Sequence, residues 1–201
     1  MKPHAAIILA AGLSRRMERF KPLLSVGGKT FIDHLISTFL SNDTEVYVVV
    51  GYHGEELREA TKDRNVVIVD NPDYKLGMFT SVQAGVHALS SGYDAFFVMP
   101  VDIPLIRPAT IKSLLATSRQ YAGRIIYPVF RKKRGHPPLI PMDLAQTIIG
   151  WKKDGNLREV LNSLESLSME VSVPDSNILL DIDTADDYRL LVERIQSGME
   201  S

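Results

Sequence analysis

Four short apolar runs punctuate the first half of the chain: Ala5–Ala10, Glu45–Val50, Val66–Val69 and Ala95–Met99. Each has the length of a strand, and their near-continuous apolar character predicts strands buried on both faces. Between them the apolar positions change period. Phe31, Leu35, Ile36 and Phe39 fall on one side of a helix, and comparable patterns cover Leu57–Thr61, Val82–Leu89 and Ile111–Leu115, the last entered through Pro108. Strand alternating with helix in this way predicts an α/β fold with a mostly parallel sheet.

Beyond Tyr121 the rhythm loosens. Ile125–Tyr127 is followed by the basic run Arg131–Arg134, by Pro137-Pro138, and by helical patterns near Asp143–Ile149 and Leu157–Leu164. Strands are expected again at Met169–Val173 and Ile178–Ile182, with a closing helix from Ala185 to about Ile195. No internal repeat, low-complexity tract or long linker interrupts the 201 residues, so residues 1–201 are expected to form one domain.

Composition narrows the partners. With 23 basic and 24 acidic side chains and a formal charge of -1, the chain lacks the field that gathers nucleic acid or anionic membrane, and any anion site must be local. The absence of cysteine removes disulfides, thiolate metal sites and cysteine nucleophiles together. The run Ala5–Ala11 falls well short of the ~20 apolar residues that a membrane span requires, and a cytoplasmic location is expected.

Candidate chemistry begins where the first strand ends. A loop leaving the carboxyl end of the first parallel strand is where open α/β sheets bind ligands, and here it reads Leu9, Ala10, Ala11, Gly12, Leu13, Ser14, Arg15, Arg16 and Met17. Small residues let phosphate oxygens reach main-chain N–H groups, Ser14 adds a hydroxyl, and Arg15 and Arg16 add charge. A glycine turn with two solvated arginines is the plainer alternative. Lys21 favours the phosphate reading, because Pro22 fixes the backbone beside it and holds one ammonium near the same loop. Gly27-Gly28-Lys29-Thr30 mimics the end of a Walker motif but has Leu23 where its first glycine belongs, and is expected to be a turn leading into a helix.

Three further segments carry polar groups to strand ends. Gly77, in the loop after the third strand, permits close ligand approach, and Ser81 can hydrogen-bond a base edge; a loop with a helix cap is the alternative. Asp102 follows the Ala95–Met99 strand at the sheet's carboxyl edge, where a carboxylate suits Mg²⁺, against an Asp turn between prolines. Alternation puts Asp181 and Asp183 on one face, although Thr184–Asp187 also reads as a helix start with acidic residues near the dipole.

The run from Leu9 through Met17, followed by Lys21 and Leu23-Leu24, resembles the signature of the MobA/MocA-like nucleotidyltransferases, whose pattern usually has Gly where this chain has Glu18. Gly77-Met78-Phe79-Thr80-Ser81-Val82 is similar to a segment of the molybdenum cofactor cytidylyltransferase branch that lies against the nucleotide base. The resemblance implies a Rossmann-like three-layer α/β/α sandwich, nucleotide-diphosphosugar-transferase-like, and a Mg²⁺-dependent enzyme that also accepts Mn²⁺. It implies transfer from CTP to the phosphate of molybdopterin, releasing pyrophosphate. Lys21 and Arg16 would act on the phosphates. Asp102 and Asp183 would be the metal ligands, with Asp181 behind them. His136, in Gly135-His136-Pro137, and Arg158, in Asp154-Gly155-Asn156-Leu157-Arg158, where Asn156 replaces the family's usual Gly, lie in segments that resemble the family's acceptor side. A molybdoenzyme would receive the product. Two rival readings keep the nucleotide site: GTP or another triphosphate with a different phosphorylated acceptor, and an accessory protein that binds nucleotide without turnover.

Overall fold

A computed structural model describes residues 4–12, 17, 19–152 and 154–198. The apolar runs become the strands β1 (His4–Leu9), β4 (Glu45–Val50), β5 (Val66–Asp70) and β6 (Ala95–Pro100), with a short antiparallel hairpin of β2 (Ser25–Val26) and β3 (Lys29–Thr30) between the first two. β1 pairs in parallel with both β4 and β6, and β5 extends the sheet beyond β4. On the other side of β6 the sheet continues through β9 (Leu139–Pro141), β7 (Ile125–Phe130) and β10 (Ser168–Ser172), while β8 (Lys133–Arg134) folds back on β7. β9 is antiparallel to both neighbours and β10 is parallel to β7, so the sheet is mostly parallel with one reversed strand in its interior.

Side-chain alternation along β1 supplies two cores. Ala6 and Ile8 face one layer with α1 (Phe31–Leu40), α2 (Gly54–Thr61), α4 (Pro108–Gln120) and α7 (Ala185–Gln196). Ala5, Ile7 and Leu9 face the other, with α3 (Met78–Ala88), α5 (Ala145–Ile149) and α6 (Leu157–Ser163). This is the three-layer sandwich of the nucleotide-diphosphosugar transferase fold. Gly85 of α3 packs closely on the sheet, where a Cβ would sit 2.4 Å from Ile7 Cγ2. Among the described residues no helix is long and apolar enough to cross a membrane.

Two of the expected strands differ in the structure. Ile178–Ile182 is not a strand: Ser176–Leu179 is a 3-10 turn and the chain to Ile182 is irregular. The Asp175 carboxylate caps that turn by accepting from Asn177 N at 3.1 Å. Its backbone then meets other segments instead of a ladder, with His136 N donating to Ile178 O and Ile182 N to Asp102 O, both at 2.9 Å. Val66–Val69 is a strand but is not buried on both faces, because β5 is the edge of the sheet and Val67 is 39% exposed.

Candidate active site

Three of the segments that line the main candidate site leave the carboxyl end of a strand. Leu9, Ala10, Ala11 and Gly12 continue from β1; Val101 and Asp102 follow β6; Tyr74, Lys75 and Gly77 lie in the loop after β5. With Lys21 and Asp183 they surround a cavity of about 520 Å³. Gly51, just past β4, makes the meeting of two of these loops possible: a Cβ there would lie 2.8 Å from the Tyr74 side chain and 3.0 Å from Ala11 Cβ.

The loop after β5 is built around Asn71. Its buried amide donates to Thr80 Oγ1 and Ser81 Oγ, both at 2.9 Å, and its carbonyl accepts from Asp73 N at 3.0 Å. Ser81 is thereby fixed as an acceptor and keeps its own proton to donate. Gly77 has φ +119°, a conformation that disfavours any side chain, and opens the 11-residue α3. No acidic residue occupies the first turn of α3, so the positive end of its dipole faces the cavity unneutralised from within the helix.

Lys21 opens a 3-10 turn with Pro22 at its first positions, and Leu24 N closes the turn on Lys21 O at 3.0 Å. The buried ammonium donates to Asp183 Oδ1 at 2.8 Å. Asp183 is held from the other direction, since its N–H and that of Thr184 both donate to Asp187 Oδ2 in a capping box that starts α7. The bond from Ile182 N to Asp102 O then ties this segment to the end of β6. As a result carboxylate oxygens of Asp102, Asp181 and Asp183 lie within 4.8 Å of one another.

That crowding is visible in the electrostatics. Burial, followed by the charge of Asp181, pushes the Asp102 carboxyl up to about 6, with Asp183 adding to the rise and Lys21 opposing it. Among the described residues three carboxylates stand beside one ammonium, and the clustered donors are all oxygen, which is the chemistry of a hard divalent cation.

The cavity therefore gathers Leu9, Ala10, Ala11, Gly12, Lys21, Gly77, Ser81, Asp102 and Asp183, with Asp181 beside its carboxylates. Ser14 and Arg16 lie outside the described residues. His136 and Arg158 do not line it. Among the described residues His136 Nδ1 is buried with no hydrogen-bond partner, and burial lowers the imidazole pKa, whereas Arg158 is exposed on α6. Asn71, Tyr74 and Lys75 were missed by the sequence reading. The only available signal was their proximity to Gly77.

A sequence profile described as the MobA-like NTP transferase domain matches residues 6–168. The chain belongs to that family. Within the curated proteins it is 32% identical to the molybdenum cofactor cytidylyltransferase of Escherichia coli K12 over 189 residues, covering 94% of this chain and 95% of the relative. A nucleotidyl transferase from Methanothermobacter shares the fold with TM-score 0.81 at 22% identity, covering 97% of this chain and 98% of that one. A Mycobacterium tuberculosis H37Rv protein solved in complex with manganese shares it with TM-score 0.75 at 19% identity, covering 94% and 98%. As a MobA-like protein the chain is a nucleotidyltransferase.

Proposed function

We propose that this MobA-like nucleotidyltransferase joins CTP to the phosphate of molybdopterin, releasing pyrophosphate and giving molybdopterin cytosine dinucleotide. The observation that carries the reading is the convergence of Lys21, Asp102 and Asp183 on one cavity beneath the loop after β1. The choice of base and acceptor is supported by the likeness to the Escherichia coli cytidylyltransferase over nearly the full length of both chains.

The acceptor phosphate is already an anion, so no covalent enzyme intermediate is required. One of its oxygens attacks the α-phosphorus of CTP as the bond to the α–β bridging oxygen breaks, and pyrophosphate leaves with that electron pair. Mg²⁺, with Mn²⁺ as a substitute, supplies neutralising charge to phosphate oxygens when held by Asp102 and Asp183, with Asp181 behind them. The manganese complex of the Mycobacterium tuberculosis relative is in keeping with such a site. The main-chain amides of Ala10 to Gly12 and the N-terminus of α3 receive phosphate oxygens. Lys21 stabilises the charge that develops on the α-phosphate, and Gly77 with Ser81 contacts the base. His136 and Arg158 serve the acceptor, and a molybdoenzyme in the cytoplasm takes the product.

Pyrophosphate release measured over CTP and GTP, each with and without molybdopterin, tests the reading. It predicts release with CTP and molybdopterin together at least tenfold faster than with GTP, because a site that pairs polar base edges rejects a base leaving them unpaired. Faster release with GTP would replace the cytidylyl assignment, and no release from any pair would remove the transferase assignment to this acceptor.

A further inference from the structure

The basic run Arg131–Arg134 lies on a tight turn between β7 and β8, where Phe130 pairs with Lys133 and Val129 with Arg134. Arg131 and Lys132 form the turn itself, with φ +48° and +65°. Positive φ at both central positions is the geometry of a type I′ turn, which Asn-Gly adopts with least strain and other residues adopt rarely. Two long cationic side chains therefore sit where folding alone favours different residues, and backbone strain of this kind points to a function.

Arg134 is taken up by the structure. It donates to the two Glu165 carboxylate oxygens at 2.6 and 2.9 Å and to Glu170 Oε1 at 2.7 Å, with its guanidinium 4.7 Å from the centre of the Tyr127 ring. Gly135 fastens the hairpin from the other side, since its N–H donates to Pro128 O at 2.9 Å and a Cβ there would lie 2.5 Å from Ile178 O. Arg131, Lys132 and Lys133 are exposed, and among the described residues none of the three is in an ion pair. Arg131 rests over the Phe130 ring, 5.2 Å from its centre. A firmly held base thus presents three charges at its tip.

Topology puts that tip at the edge of the sheet where the nucleotide cavity lies. Leu139 of β9 pairs antiparallel with Phe97 of β6 and with Ile126 of β7. β6 and β7 are therefore parallel and level at those residues, and the same step of five residues leads to Asp102 on one and Arg131 on the other. Only β9 stands between them, two strand spacings or about 10 Å. The loops after β1 and β5 lie on the opposite side of β6 in the sheet order. The tip thus flanks the carboxylates from the side away from those loops, and β8 runs directly into Gly135-His136.

We propose that Arg131, Lys132 and Lys133 form an electrostatic guide for the anionic acceptor, drawing its phosphate toward the carboxylate cluster; the inference rests on the transferase reading given above. A phosphate monoester that approaches Asp102, Asp181 and Asp183 meets like charge. Three cations about one Debye length away offset that repulsion during the approach and raise the rate of encounter. They touch no reacting atom and are not catalytic residues.

The test compares the wild type with a variant carrying both Arg131→Asn and Lys132→Gly, measuring pyrophosphate release from Mg²⁺-bound CTP as molybdopterin is varied, at about 20 and about 300 mM NaCl. The two substitutions supply the residues that the turn prefers, so urea unfolding should find the variant no less stable than the wild type. At low salt the KM for molybdopterin should rise about fivefold with kcat unchanged, and more than the KM for CTP. At high salt, where the Debye length is roughly 6 Å, the two proteins should converge. Equal KM values at low salt, a loss that falls on kcat instead, or a difference undiminished by salt would overturn the guide and leave the transferase reading intact. No release by the wild type at either salt would remove both together.

Discussion

Asp102→Asn should stabilise the metal-free protein. In the folded chain the carboxyl is raised from an ordinary 3.8 to about 6, chiefly by burial and by the charge of Asp181. Near neutral pH the folded state therefore holds an anion that the unfolded state holds more comfortably, and the difference corresponds to roughly 3 kcal/mol. A neutral amide of the same shape removes that cost, so the variant should gain up to roughly 3 kcal/mol, or about 6–12 °C in Tm for a chain of this size. The sign follows from linkage. A carboxyl whose folded pKa is raised destabilises above that pKa, and the penalty fades as pH falls from about 6 to 3.8. Urea unfolding of both proteins in EDTA, at about pH 7.5 and again near pH 4, should show a gap that closes in acid. Added Mg²⁺ should then reverse the ranking by stabilising only the wild type. A variant no more stable than wild type at the higher pH, or a gap unchanged in acid, would refute the argument.

Lys21→Ala should lower turnover by ~10²-fold or more with the fold retained by circular dichroism, since one preorganised charge is worth several kcal/mol in such transition states; wild-type turnover would remove Lys21 from the chemistry. Gly85→Ala forces a Cβ to 2.4 Å from Ile7 Cγ2 and 3.0 Å from Val49 Cγ2. Overpacking there should cost ~1–3 kcal/mol in urea unfolding despite the better helix propensity of alanine, and an unchanged midpoint would show that the layer yields. His4 and His136 both have imidazole pKa values lowered by burial from 6.5. The unfolded chain therefore takes up protons first, and stability should fall as pH drops below 6.5. The fall is best measured in the Asp102→Asn background, where the opposing carboxyl is absent; a flat profile there would contradict it.

The strands that position the site were legible because they are the ones buried on both faces. β1, β4 and β6 read as continuous apolar runs, and the residues that follow β1 and β6 carry recognisable chemistry. Short or irregular elements were not legible. β9 has three residues, one of them proline, and Ile178 and Ile182 each bury a side chain without forming a strand. The first turn of α3 was missed for another reason: two of its buried positions are the polar Thr80 and Ser81, so the apolar pattern read from the sequence begins only at Val82. Alternation placed Asp181 and Asp183 together, but nothing local could show that Asp183 meets Lys21, a contact across 162 positions. Tyr74 and Lys75 line the cavity because Gly51 admits their loop, and that fact belongs to packing.

The same contact has a consequence for synthesis. A ribosome produces Lys21 162 residues before Asp183, so a growing chain carries the ammonium through that interval without this carboxylate. Asp102 is also made before Asp181 and Asp183. Contacts this distant in sequence form late and slowly. A nascent chain can acquire its first parallel strands and the loop after β1 while it has only one of the three clustered carboxylates, so the constellation that defines the cavity becomes complete only when the segment before α7 docks.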